Sequence, residues 1–158
     1  MGRKRTRYRR ANVEVTQSMD SAELITRLLP LRHKEIHIGM QGDEELALVA
    51  GVHEYGSAKM NIPARSIIGA GKKKAQAAIG KLVRAGVTQI ALGRKGAQSL
   101  QTEIGELGLD RMLKNFDRIK QPALSPIYAR RKSGNKLLIA DEDLRNALTY
   151  TIVSKEGR

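Results

Sequence analysis

Four stretches carry residue types that could do chemistry. The pair His53-Glu54 invites a metal reading, because a helical zinc site of the protease kind starts with those letters. Such a site needs a second His four positions on, and position 57 is Ser; His33 and His37 share no ligand spacing with His53. The pair therefore reads as a polar helix end that hydrogen-bonds the following loop or a neighbouring chain. Gly69-Ala70-Gly71-Lys72 has some letters of a phosphate loop. It lacks the first glycine and the hydroxyl residue after the lysine, and no strand feeds it. Ser99 and Ser125 have no His/Asp partners that spacing can nominate. Asp141-Glu142-Asp143 suits the start of a helix better than a catalytic carboxylate pair. With no cysteine in the chain, disulfides and thiol catalysis are excluded and the usual ligands of a structural zinc are missing. The sequence reads as no enzyme, with no metal and no cofactor.

The 158 residues suffice for one domain with a modest core. That core must be built from Leu, Ile, Val and Ala, since aromatics are only 3% of the chain. No apolar run is long enough to span a membrane, and no apolar run follows the basic N-terminus as a signal peptide would require. The formal charge is +13, which speaks about partners rather than fold. Six cations, Arg3, Lys4, Arg5, Arg7, Arg9 and Arg10, lie in the first ten residues; without them the remainder still carries +7. Residues 1–11 read as a basic arm, either a solvated, disordered tail or a segment that orders on a polyanion or an acidic neighbour. Stacking aromatics and a recognition-helix signature are both missing, so any contact with nucleic acid would be to phosphates and independent of sequence.

Several elements must position these residues. Val13 and Val15 alternate with polar neighbours, which suits a short strand over 12–16. Ser18 or Asp20 can cap a helix over 21–29 that Pro30 ends, with Leu24, Ile25, Leu28 and Leu29 on one side. Residues 35–40 alternate again and read as a strand. After the acidic Asp43, Glu44 and Glu45, the apolar Leu46, Leu48, Val49 and Val52 fit one side of a helix that Gly56 stops. A loop follows, and Pro63 opens a long helix over 64–91. Gly69, Gly71, Gly80 and Gly86 weaken that helix by up to about 1 kcal/mol each, which predicts close backbone packing, a kink or support from a neighbour. Gly93 to Gly96 breaks the chain. A second long helix runs over 97–119 with Leu100, Ile104, Leu107, Met112 or Leu113, Phe116 and Ile119 inward, packed antiparallel to the first. Ser125-Pro126 starts a helical turn to Arg130, a basic loop runs over 130–136, and Asp141 caps a last short helix that turns Leu144, Ala147 and Leu148 inward. Residues 149–153 read as a strand that pairs with 35–40 or 12–16. The expected fold is α+β: a small, mostly antiparallel sheet of N- and C-terminal strands on two longer helices, in a single domain over 12–153 with a tail at 154–158.

Two spellings in this chain resemble a known family. His53-Glu54-Tyr55-Gly56 is followed by Ile62-Pro63-Ala64-Arg65, and later come Leu124-Ser125-Pro126, Arg130-Arg131-Lys132, Leu137-Leu138-Ile139 and Leu144-Arg145-Asn146-Ala147-Leu148-Thr149-Tyr150. Their order and spacing resemble the small neck, head–tail joining and tail-completion proteins of tailed bacteriophages, over roughly residues 35 to 153. The chain departs from the family at Ala140-Asp141-Glu142-Asp143, where the family tends to have Asp-Thr-Gly. The resemblance implies a structural virion protein, assembled in the host cytoplasm, that forms rings between the portal side of the capsid and the tail. Its implied partners are copies of itself, other neck, portal-adaptor and tail-terminator proteins, and packaged DNA without sequence preference. Implied assembly contacts fall on His53, Glu54, Tyr55, Gly56, Pro63, Arg65, Ser125, Pro126, Arg130 and Arg131. Composition alone would favour a different class, a free basic protein binding nucleic acid without sequence preference.

Overall fold

Alternation of apolar and polar residues at each end of the chain produces one antiparallel pair of strands. The computed structural model describes residues 20–41, 44–123, 130 and 143–155. Strand β1 (Lys34–Met40) pairs with β2 (Leu148–Ser154) in a register that sets Ile36 opposite Ile152, Ile38 opposite Tyr150 and Met40 opposite Leu148. Side chains alternate across a strand, so these six share one face. That face lies on the second of two long helices, α3 (Ile68–Ala91) and α4 (Ala97–Arg118). The fold is α+β, as the sequence implies, and 148–154 chooses 34–40 as its partner. The expected strand over 12–16, the 125–130 turn with Ser125 and Pro126, most of the 130–136 loop including Arg131, and the Asp141 cap lie outside the described residues. So do Arg3, Lys4, Arg5, Arg7, Arg9 and Arg10. Arg130 is helical and exposed.

Three expectations about helices need correction. Helix α1 (Ser21–Arg32) starts on Asp20, whose carboxylate accepts from the Ala22 N–H at 3.2 Å, but it runs through Pro30 for two more residues. Proline removes one helical N–H without forbidding the next turn, and the Pro30 carbonyl is held by the Gln101 side-chain amide at 3.3 Å. Of the four residues expected inward, Leu24 and Leu28 are partly buried, whereas Ile25 and Leu29 face solvent. In α2 (Glu44–Tyr55), Ala50 is buried and Leu46 packs beside it, while Leu48 and Val49 point outward. At 100° per residue, positions 46 and 50 fall on one side of a helix and position 48 on the other. The third correction concerns α3, which begins at Ile68 rather than near Pro63.

The α3–α4 hairpin supplies the packing surface. Gly93, at φ 68°, makes the turn between its helices, and Ile90 and Leu100 are fully buried toward that end. Gly71 lets α3 approach α4 closely: a Cβ there would sit 3.0 Å from Met112 Cγ and 3.1 Å from its Cα. At Gly86 a Cβ would collide with the Leu100 side chain, whereas at Gly80 it would meet nothing. Further along the same buried side of α4, Gly105 and Gly108 lie directly beneath Tyr150 and Ile38. This is why Ile104 and Leu107 are only half-buried while Gln101, Gly105, Gly108 and Asn115 are buried. The sheet rests on the small residues of α4 rather than on its large ones.

These glycines make opposite predictions. Gly80→Ala should raise stability by about 0.5–1 kcal/mol, the helix-propensity gain with no steric cost. Gly86→Ala should lower it by about 1–3 kcal/mol, because Leu100 must move in a packed core. Urea denaturation of both variants separates the two effects.

Candidate functional site

The residues singled out by spelling converge where α2 hands the chain to α3. Gly56 stops α2 at φ 76°, and its N–H closes the helix on the Val52 carbonyl at 2.7 Å. Glycine is required here twice over, since a Cβ would lie 2.9 Å from both Ala64 N and the Ile62 carbonyl. Ser57 and Ile62 then exchange backbone hydrogen bonds at 2.8 and 2.9 Å, folding the loop on itself. The next segment runs back alongside the helix end, where the Arg65 N–H donates to the His53 carbonyl at 2.6 Å.

This return places the start of α3 against Glu54. One carboxylate oxygen accepts from the N–H groups of Ile67 at 2.7 Å and Ile68 at 2.8 Å. The other accepts from Ser66 Oγ at 2.6 Å and Gly69 N–H at 2.9 Å. The orphan amides of a helix start are thus closed by a charged side chain from the preceding helix, where negative charge also meets the positive end of the dipole. Burial pushes the Glu54 carboxyl up, but the bonds from Ser66, Ile68, Gly69 and Ile67 outweigh it and hold its pKa below the usual glutamate value. The carboxylate is consumed by four donors and is not available as a general base. The same contacts fill the place a phosphate would take at Gly69-Ala70-Gly71-Lys72.

Arg65 and Asn115 complete the junction. Arg65 is 5% exposed, and its guanidinium donates to the carbonyls of Pro122 at 2.9 Å and Ala123 at 3.1 Å, holding the chain that leaves α4. Asn115, buried on α4, donates to the Ile67 carbonyl at 2.9 Å and that of Ser66 at 3.3 Å, and accepts from Lys74 Nζ at 2.6 Å. Beneath these polar ties lies a core of Ala50, Ile67, Phe116, Leu144 and Leu148. Leu144 belongs to the short helix α5 (Asp143–Asn146), whose Arg145 makes a two-pronged bond with Asp117 of α4 at 3.0 and 3.2 Å. Residues flanking the first spelling, Ala50 and Ile67, therefore share one core with Leu144 and Leu148 of the second. Compared with family models, curated proteins and solved structures, the chain matches none.

Of the assembly contacts expected from the sequence, Glu54, Gly56 and Arg65 are engaged within the chain, and the His53 carbonyl is engaged with Arg65. Tyr55 is 85% exposed, and Pro63, eight residues on, is exposed too. Spelling missed Asn115 and Asp117; the polar character of Asn115 at otherwise inward helical spacing was an available signal, whereas the exposed Asp117 gave none. Among the described residues, no three His, Cys, Asp or Glu side chains cluster to hold a metal ion, and no helix is long and apolar enough to cross a membrane.

Replacing Glu54 should test the cap. Glu54→Ala removes a cap with charge-assisted hydrogen bonds and should cost about 2–3 kcal/mol, with Glu54→Gln losing about half as much. The carboxyl titrates lower folded than unfolded, so its contribution is complete above about pH 4.3 and is lost as pH falls through the folded value. Thermal melts across acid pH should therefore show the gap between wild type and Glu54→Gln closing as pH falls.

Proposed function

We propose that the chain is a structural subunit of a tailed-bacteriophage neck, a ring-forming piece between the portal side of the capsid and the tail. The resemblance of the two spellings supports this reading, and the core that joins the flanks of the first, Ala50 and Ile67, to Leu144 and Leu148 of the second is consistent with their co-occurrence. The observation that carries it is where the large apolar side chains point. Leu48 is 70% exposed, Tyr55 85% and Met60 68%, on the outer side of α2 and the loop after it. Leu48 and Tyr55 are seven residues apart, so they line one stripe of that helix. A second apolar exposure lies on a different element, with Ile25 and Leu29 on α1. A ring is closed by heterologous contacts, in which one face of a subunit meets a different face of the next. Two separated apolar surfaces on one small chain suit that geometry, since exposed apolar patches mark interaction sites. Glu54 and Arg65 act inside the subunit and hold the α2 end rigid; Tyr55 and Pro63 stand outside it and face the neighbour.

The purified chain should form closed rings visible by negative-stain electron microscopy, with a matching mass by light scattering. Leu48→Asp combined with Tyr55→Asp should yield monomers with unchanged helical circular dichroism. A wild-type chain that stays monomeric at high concentration and is missing from purified virions would overturn the reading. Tight duplex binding by such a monomer would favour the free nucleic-acid-binding class instead.

A further inference from the structure

Between Glu54 and Glu103 the sequence contains no Asp or Glu and nine Lys or Arg. Helix α3 lies wholly within that stretch, so it carries cations with no acid of its own to balance them. Its inward side is set by the buried Gly71, Ala75, Gly86 and Ile90. At 100° per residue the opposite side is centred on Lys73, Ala77, Lys81, Arg84 and Thr88, all exposed, with the half-open Gly80 among them. Among the described residues none of Lys73, Lys81 and Arg84 pairs with an acid. Cations elsewhere in the hairpin do: Lys114 with Asp110 at 2.8 Å and Lys95 with Glu103 at 2.5 Å.

We infer that the outward face of α3 is a binding surface for the phosphate backbone of duplex DNA, without sequence preference. From Lys73 to Arg84 the helix rises about 16 Å. A duplex carries one charge per roughly 1.7 Å of axis, so several phosphates lie within reach of three long side chains. Ala77 and the open Gly80 leave the middle of the ridge low, which lets a backbone approach along it. A protein partner fits less well. Interface cores are depleted in lysine and anchored by large apolar or aromatic groups; the face from Lys73 to Thr88 has none, and the large apolar residues that are exposed lie on α1, on α2 and the loop after it, and at Leu92 beyond the end of α3. A second copy, at +13, is repelled by the ridge. The inference concerns this face alone and does not depend on ring formation.

The test is fluorescence anisotropy of the full chain with two short duplexes of unrelated sequence, across a sodium chloride series. Wild type is compared with Lys73→Gln, Lys81→Gln, Arg84→Gln combined, and with an equal loss of charge placed elsewhere, Lys59→Gln, Arg111→Gln, Lys120→Gln. Each lost phosphate contact removes about 0.9 from the slope of log affinity against log salt. The α3 triple variant should therefore lose a slope of about 2.7, making its tightening from about 200 to 50 mM salt roughly 40-fold smaller, on both duplexes. The displaced triple should keep most of the wild-type slope, and both should keep wild-type circular dichroism. Equal losses in the two triples, an unchanged slope in the α3 triple, or binding confined to one duplex would overturn the inference. An α3 triple that alters self-association while leaving DNA binding intact would assign the face to a protein contact and overturn it as well.

Discussion

One carboxylate organises the turn on which this molecule is built. Helix α3 has no capping side chain at Ile67; Ser66 Oγ accepts only from the Ala70 N–H, at 3.0 Å, and the amides of Ile67, Ile68 and Gly69 would otherwise be orphaned inside the fold. Glu54 closes them from the end of the previous helix, so α3 can begin only where α2 has already stopped and the loop has doubled back. Every other tie at the junction depends on that geometry: the reach of Arg65 to the chain beyond α4, and the grip of Asn115 on the carbonyls of Ser66 and Ile67. The polar groups thus fix three helices against one another before any apolar residue is counted. The apolar cluster of Ile67, Phe116, Leu144 and Leu148 then fills the space they enclose.

Much of the fold was legible because it rests on local rules. The alternation over 35–40 and 149–153 set the strands, and the Gly93–Gly96 break set the hairpin of long helices. Gly56 was readable as a helix stop because only glycine takes its φ cheaply. The start of α3 was not readable. Local capping rules look within a few residues, and proline at a first turn is a fair signal, so the eye settles on Pro63; the actual cap sits more than a dozen residues upstream. Pro30 misled for the opposite reason, since a proline near a helix end can be absorbed when its neighbours hold the carbonyls.

The candidate residues were legible by type but not by direction. A Glu beside a helix end was expected to bond the following loop or a neighbouring chain; Glu54 takes Ser66 at the end of that connection and, with it, the first amides of α3. Arginine is seldom fully buried, so nothing in the letters of Ile-Pro-Ala-Arg turns Arg65 inward. The apolar run of α2 reads as one-sided, yet its angular spacing divides it between core and solvent. That division gives the chain both a core under the junction and an outer stripe through Leu48 and Tyr55. The acid-free sequence of α3 acquired meaning only once its inward glycines and Ala75 showed which side was left over.

The pairing of β1 with β2 has a consequence for how the chain comes to its final shape. Lys34 lies opposite Ser154, and Met40 opposite Leu148. During synthesis β1 leaves the ribosome more than a hundred residues ahead of its partner, which at about 5–20 residues per second is roughly 5–20 s. The α3–α4 hairpin is built from near neighbours and closes early, whereas the sheet closes over nearly the whole described length and does so late. Throughout that interval Ile36, Ile38 and Met40 have no strand among the described residues to pair with, so a nascent chain meets its highest risk of mispairing with another copy before its own C-terminal strand exists.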